Sequence, residues 1–156
     1  MTTTADMLQV VVFALQDNEF GIDIAQVREI DRLVPITRVP RVPAHVEGII
    51  NLRGQLVPVV DLRTRLGMPH SVPTKLARII VADIDTRSIG MIVDEVREVV
   101  RIPVEQISKS EGVLEGLANE FIGALGRVDE RLIILLDVEK LLGPEAPNAL
   151  TDKGNM

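Results

Sequence analysis

The chain has no cysteine, tryptophan or tyrosine, and only three phenylalanines among its 156 residues. The absence of cysteine excludes disulfides, thiolate catalysis and cysteine-ligated zinc. Hydrophobic residues still make up 46% of the chain, so the core has to be built from aliphatic side chains. Many of these are valine and isoleucine, whose β-branched side chains favour strands.

Positive charge is also scarce, because 17 basic residues face 23 acidic ones and give a formal net charge of -6. Nucleic-acid binding needs a positive surface along the phosphates, so we expect no nucleic-acid partner.

The apolar runs are too short to span a bilayer, and the N-terminus lacks the basic and apolar regions of a signal peptide. We therefore expect no direct membrane insertion and a cytoplasmic location.

Patterns for catalysis and metal binding are missing as well. Neither His45 nor His70 has a second ligand at metal-site spacing, and none of the four serines lies in a G-x-S-x-G elbow. No phosphate-binding loop is present. The sequence therefore predicts no catalytic residue, no metal, no cofactor and no small-molecule substrate, with both histidines as exposed loop side chains. A small hydrolase or ligand-binding barrel organised around His45 or Ser88 is the alternative from another functional class.

The sequence repeats itself once along its length. Residues 20–32 match residues 89–101 at a constant offset of 69, and residues 56–62 match residues 132–138 at an offset of 76. The extra seven residues fall in loops, where insertions are tolerated. Two matches in the same order indicate a tandem duplication of a unit of roughly seventy residues.

Each copy has the pattern of short strands separated by turns, which favours small barrels over a parallel sheet. We predict a first β-barrel over residues 8–70 and a second over residues 74–143, with short helices, one of them over Ala44 to Ile50. The polar ends, residues 1–7 and 144–156, are predicted to be disordered. Whether the first strand stays in its own barrel or crosses to the other is left open.

A polar turn, Asn51-Leu52-Arg53-Gly54, interrupts one of the most apolar parts of the chain. Gly54 can adopt a positive φ without steric cost, so it can reverse the chain between two strands. Arg53 beside such a turn is lifted toward solvent, where it either meets a partner or pairs with Asp61 or Glu47. Pro58 cannot donate a ladder hydrogen bond, so its strand should be an edge or a bulge at that point.

These motifs resemble the CheW family, the adaptors that couple chemoreceptors to the histidine kinase CheA. The resemblance covers about residues 8 to 143. It rests on Phe20-Gly21-Ile22-Asp23-Ile24, Val27-x-Glu29-Ile30, Gly48-Ile49-Ile50-Asn51-Leu52-Arg53-Gly54, Val57-Pro58-Val59-Val60-Asp61-Leu62-Arg63 and Leu132-Ile133-Ile134-Leu135-Leu136-Asp137.

The resemblance implies two tandem SH3-like five-stranded β-barrels and a mainly β, non-catalytic scaffold. Its expected partners are the regulatory domain of CheA and the cytoplasmic tip of chemoreceptors, in membrane-attached receptor arrays. The receptor-binding residues implied by the motifs are Val27, Glu29, Ile30, Arg53, Val99 and Val100. The implied kinase-binding residues are Asn51, Gly54, Leu56 and Pro58. The same adaptor fold serving a receptor-kinase system outside chemotaxis is the second alternative.

Overall fold

A computed structural model describes residues 6–109 and 121–142 of the chain. Two α-helices are described, α1 (Leu62–Arg65) and α2 (Val138–Leu142), along with 3₁₀ turns at Ile24–Gln26 and Val104–Gln106. The strands in chain order are β1 (Met7–Leu15), β2 (Asn18–Asp23), β3 (Val27–Arg32), β4 (Val46–Leu52), β5 (Gln55–Asp61), β6 (Arg78–Ile84), β7 (Arg87–Val93), β8 (Glu95–Pro103), β9 (Ile107–Ser108), β10 (Ile122–Val128) and β11 (Arg131–Leu136). Within these described residues, no helix is long and apolar enough to cross a membrane.

The strands form two sheets, which confirms the mainly β, two-barrel fold class. The sheet that we call sheet 1 has the order β8-β1-β2-β11-β10-β9, and sheet 2 has the order β3-β6-β7-β5-β4. Strand β9 has two residues and pairs with β10. At the matching place in sheet 2, an isolated bridge joins Thr37 to Ile49 of β4. The duplicated sequence therefore folds twice with the same strand arrangement.

The two copies exchange their first hairpins. The β1–β2 hairpin of the first copy lies in sheet 1 with β8 to β11, and the β6–β7 hairpin of the second copy lies in sheet 2 with β3 to β5. Each exchanged hairpin joins its new sheet through a parallel ladder, β2 with β11 and β7 with β5. The predicted ranges 8–70 and 74–143 correspond to the two copies of the repeat. They do not correspond to the two sheets, because each sheet contains strands from both ranges. Sheet 2 is the continuous unit, and it is inserted between β2 and β8.

The described residues form three apolar clusters, and the largest lies between the sheets. It contains Val11, Phe13 and Leu15 of β1 together with Ile80, Ala82 and Ile84 of β6, and we call it the shared core. Alternate residues point the other way, into a small aliphatic core inside each barrel: Val10 and Val12 in sheet 1, and Ile79 and Val81 in sheet 2. Strands β1 and β6 are thus buried on both faces, which explains why both are almost uninterrupted apolar runs.

Two glycines at matching positions of the repeat permit close strand packing. A Cβ added at Gly21 would lie 2.3 Å from Val10 Cγ1, and one added at Gly90 would lie 2.9 Å from Ile79 Cγ2. Both glycines also begin or continue the parallel ladder of their hairpin. A glycine is therefore needed at this position in both copies, because a side chain from β1 or β6 packs directly against it.

The predicted helix over Ala44 to Ile50 is wrong, because Val46–Leu52 form strand β4. The β-branched residues of this segment pair with β5, and Gly48 has a φ of +152° where the ladder is irregular.

The edge predicted at Pro58 exists locally. Strand β5 lies between β4 and β7, but its ladder with β7 starts only at Val59. In the second copy the parallel ladder starts one residue earlier, at Ile134, the match of Pro58. The predicted disordered ends lie outside the described residues, apart from Asp6 and Met7.

The Asp94 carboxylate links helix α1 to the hairpin exchanged into sheet 1. Arg63 of α1 donates from Nε to Asp94 Oδ1 at 2.9 Å and from a terminal nitrogen to Oδ2. The same carboxylate accepts a hydrogen bond of 2.8 Å from the backbone N–H of Gln16 in the β1–β2 turn. Burial alone would raise the pKa of Asp94, but the hydrogen bonds from Arg63 and Gln16 outweigh it and lower the pKa below its usual value.

We predict that Asp94→Asn lowers the free energy of unfolding near neutral pH by about 1–2 kcal/mol, since a partly exposed charged pair is lost. A carboxyl whose pKa is lower in the folded state stabilises the fold above its unfolded pKa, about 3.9, and this contribution is lost as the pH falls through the folded value. Urea titrations between pH 7 and pH 3 should show the wild type and the variant converging in acid. A gap that stays constant or widens would contradict the assignment, and Asp17→Asn, an exposed turn residue, is the control.

Candidate partner-binding site

The β4–β5 turn has the geometry of a two-residue hairpin loop. Arg53 and Gly54 have φ values of 50° and 86°, as a type I′ turn requires. The Gly54 amide donates a hydrogen bond of 2.8 Å to the Asn51 side-chain oxygen. Asn51 and Gly54 therefore shape the turn, and Arg53 is held at its tip in a conformation that non-glycine residues seldom adopt.

Arg53 pairs with Glu29, and this contact links the two edge strands of sheet 2. Glu29 lies on β3 at one edge, and Arg53 follows β4 at the other. The ion pair thus closes the barrel across its open edges while most of the arginine side chain stays in solvent. Neither partner considered from the sequence pairs with Arg53. Glu47 lies 3.7 Å from Arg38, and Asp61 caps helix α1 through the Arg63 amide.

A second carboxyl, Asp31, completes this cluster. It lies two residues from Glu29 on the same face of β3, where the burial alternates strictly. The side-chain hydrogen bond with Asp31 and the Arg53 guanidinium lower the pKa of Glu29, whereas the same hydrogen bond and burial raise the pKa of Asp31. Asp31 is not among the site residues predicted from the sequence, although its i, i+2 spacing from Glu29 was a usable signal.

The apolar residues assigned to the receptor divide into exposed and packed positions. Ile30 is 39% exposed on the outer face of β3, and Val99, its match in the repeat, is 48% exposed on β8. Val27 packs against the shared core, and Val100 packs against the interior of sheet 1. Ile30 and Val99 are therefore the side chains most available to a partner, one on each sheet.

The residues assigned to the kinase lie on the same hairpin as Arg53. Leu56 is 68% exposed near the start of β5, and Pro58 is half-buried two residues further on the same side of the strand. The structure therefore brings Glu29 and Arg53 together, and Leu56 lies three residues after Arg53 on the same hairpin. The two assigned surfaces meet at the β4–β5 turn.

The second copy shows which features are specific to the first. Asp129 matches Arg53 and has a φ of 55°, whereas Glu130, the match of Gly54, has no positive φ. The second turn therefore differs in shape at its second residue, and it carries the opposite charge at its first. Glu98, the match of Glu29, pairs instead with Arg131 at 2.7 Å. Each copy therefore has an arginine–glutamate pair, but in sheet 1 the pair joins the edge strand β8 to the interior strand β11. An arginine stands at the tip of the turn in the first copy only.

The alternative of a catalytic or ligand-binding barrel receives no support from the parts of the barrels that are described. Both interiors are filled by valine, isoleucine, leucine and alanine side chains. Ser88 lies on the surface, where its hydroxyl donates to Asp83 at 2.6 Å and accepts from Arg28 at 2.9 Å. His45 is buried. The geometry of the site suits recognition by apolar and charged contacts.

Comparison with known proteins identifies the family. The model of the CheW-like domain matches residues 9–145. The chemotaxis protein CheW of Klebsiella aerogenes is 36% identical over 86% of this chain and 81% of its own length. The probable chemotaxis protein CheW of Rhizobium etli is 35% identical over 85% of this chain and 86% of its own. The crystal structure of the scaffolding protein TtCheW from Thermoanaerobacter tengcongensis superposes with a TM-score of 0.79 at 35% identity, covering 86% of this chain and 91% of that one. On the evidence of its sequence and its two-barrel fold, the chain belongs to the CheW family.

Proposed function

We propose that the chain is a cytoplasmic, non-catalytic scaffold that couples chemoreceptors to the histidine kinase CheA and supports kinase activation in chemotaxis signalling. Family membership supports the chemotaxis role, since the relatives above are named chemotaxis proteins and one is described as a scaffolding protein. The observation that carries the proposal is the Arg53–Glu29 pair, which presents a charged group beside exposed aliphatic side chains. The mechanism is assembly, in which binding energy is coupled across two interfaces.

The receptor tip binds where β3 and β8 present their exposed residues. Val27 and Val96, which match in the repeat, both pack against the shared core, so the two strands start at the junction of the barrels. Three residues further on, Ile30 and Val99 project from them. These aliphatic side chains, with Val27 and Val100 behind them, bury the apolar face of a helical hairpin. Arg53 and Glu29 fix its orientation, because a planar guanidinium recognises carboxylate or amide groups in a defined geometry.

The regulatory domain of CheA binds on the neighbouring surface of the same barrel. Leu56 is a large apolar side chain in solvent, and next to Pro58 the backbone of β5 lacks a strand partner on the β7 side. Asn51 and Gly54 hold the turn that positions this edge. The kinase and the receptor thus contact adjacent faces of one rigid hairpin, in arrays attached to the membrane through the receptors.

Replacement of Arg53 by alanine tests the receptor site. We expect receptor-fragment binding to weaken by about tenfold, the effect of an arginine at the centre of an interface. The thermal midpoint should barely change, since the side chain is mostly in solvent. Arg41→Ala is the matched control, because Arg41 is also exposed and has a positive φ of 63°. If Arg53→Ala lowers the midpoint together with binding, the role of Arg53 is structural.

The duplication supplies a matched pair of variants for the kinase site. Leu56 and Leu132 occupy equivalent positions and are 68% and 57% exposed. We expect Leu56→Ser to weaken binding of the isolated regulatory domain by about tenfold, because a buried leucine contact is lost. Leu132→Ser should leave this binding unchanged. A larger loss from Leu132→Ser in isothermal titration calorimetry would assign the kinase to the second barrel.

A further inference from the structure

Three potential metal ligands converge beside helix α1. Glu47 comes from β4, Asp61 ends β5, and His70 follows α1 in the connection to β6. One ligand atom from each residue lies within 4.8 Å of the other two. The three line a cavity of about 190 Å³. Asp61 is buried and Glu47 largely so, whereas the His70 side chain is 60% exposed. The histidine therefore stands at the mouth of the cavity, and the carboxylates lie deeper.

The spacing of these atoms suits a small divalent transition-metal ion. Two ligands bound to one tetrahedral Zn²⁺ at about 2.1 Å are about 3.4 Å apart. His70 Nδ1 and Asp61 Oδ2 are 3.2 Å apart and share a hydrogen bond, which a bound ion would replace. Because all three ligand atoms lie within 4.8 Å of one another, a shift of at most about 1.4 Å in the Glu47 side chain would complete the set. Imidazole nitrogen with carboxylate oxygens favours Zn²⁺ over Mg²⁺, which prefers oxygen ligands alone.

The charges around the cavity leave room for a cation. Arg63 also lines it, but its guanidinium is engaged by the Asp94 carboxylate. Arg38 lies 3.7 Å from Glu47 with its side chain almost wholly in solvent, where an ion pair contributes little. Two carboxylates close together at the edge of a low-dielectric interior repel each other unless a positive charge lies between them. A divalent ion supplies that charge.

The second copy separates this cluster from simple helix capping. Asp61 caps α1 through the Arg63 amide at 3.0 Å. Asp137, its match, caps α2 through the Lys140 amide at 3.2 Å. Capping therefore accounts for an aspartate in both copies. Glu47 is matched by Gly123, and the second half of the chain has no histidine. The three-ligand cluster belongs to the first copy alone, so capping does not explain it.

We propose that Glu47, Asp61 and His70 form a binding site for one Zn²⁺-like divalent transition-metal ion. His70 Nδ1, Asp61 Oδ2 and one Glu47 carboxylate oxygen are the protein ligands, and water in the cavity takes the open position. The ion fastens the connection between the two copies to sheet 2, because His70 lies in that connection and the carboxylates lie on β4 and β5.

Titration of the full chain, free of any histidine tag, with ZnCl₂ in a non-coordinating buffer tests the site by calorimetry. The background is low, since the chain has no cysteine and only two histidines. We expect one saturable site per chain and a rise in the thermal midpoint with Zn²⁺ but not with Mg²⁺. Visible absorption of bound Co²⁺ gives a second readout, because its bands depend on the ligands bound directly to the metal.

Variants locate the ion. Loss of a group that only supports a metal ligand usually weakens binding by roughly 10–100-fold. His70→Ala and Glu47→Gln, which remove ligands, should each weaken Zn²⁺ binding by at least that much. His70→Ala should also abolish the Co²⁺ bands. Asp137→Asn, which alters the matching helix cap, should leave affinity unchanged. The proposal is overturned if the wild type shows no saturable site, or if binding survives both ligand variants at full affinity.

Discussion

The apolar layer between the two sheets is the interaction on which the rest of the structure depends. Each barrel encloses only a small aliphatic cluster of its own, whereas the shared core collects side chains from β1, β2, β6 and β7, and from both helices. Apolar area removed from water is the main stabilising term for such small units. Because β1 and β6 contribute to a barrel interior on one face and to the shared core on the other, neither barrel can be packed without the other.

The exchange of hairpins adds polar contacts to this apolar layer. The Arg63–Asp94 pair and the Gln16 amide then hold α1, the end of β7 and the β1–β2 turn together. This packing fixes the position of β3 relative to β8, so the distance and orientation between the exposed side chains of Ile30 and Val99 stay constant. A scaffold needs that property, since a partner that spans both barrels gains affinity only when its contacts are already in place.

The sequence was sufficient for the fold class, the duplication and the β4–β5 turn, because valine and isoleucine content, repeated motifs and an Arg-Gly pair are local signals. It was insufficient for the hairpin exchange, since either assignment of β1 and β2 satisfies the same alternation of side chains. Strand β4 was mistaken for a helix because Gly48 breaks its alternating pattern, and its pairing with β5 decides the outcome. The convergence of Glu47, Asp61 and His70 could not be read from spacing, because the three residues lie on different elements.

Divergence between the two copies is the clearest guide to function in this chain. Both copies keep the strands, the close-packed glycines and an arginine–glutamate pair, but the turn carries Arg53 in one copy and Asp129 in the other. The central claim is that receptor and kinase bind adjacent surfaces of the first barrel at the same time. Sedimentation velocity of the chain with a receptor signalling fragment and the CheA regulatory domain tests this claim most directly. The account predicts a ternary species containing all three proteins, and displacement of one partner by the other would contradict it.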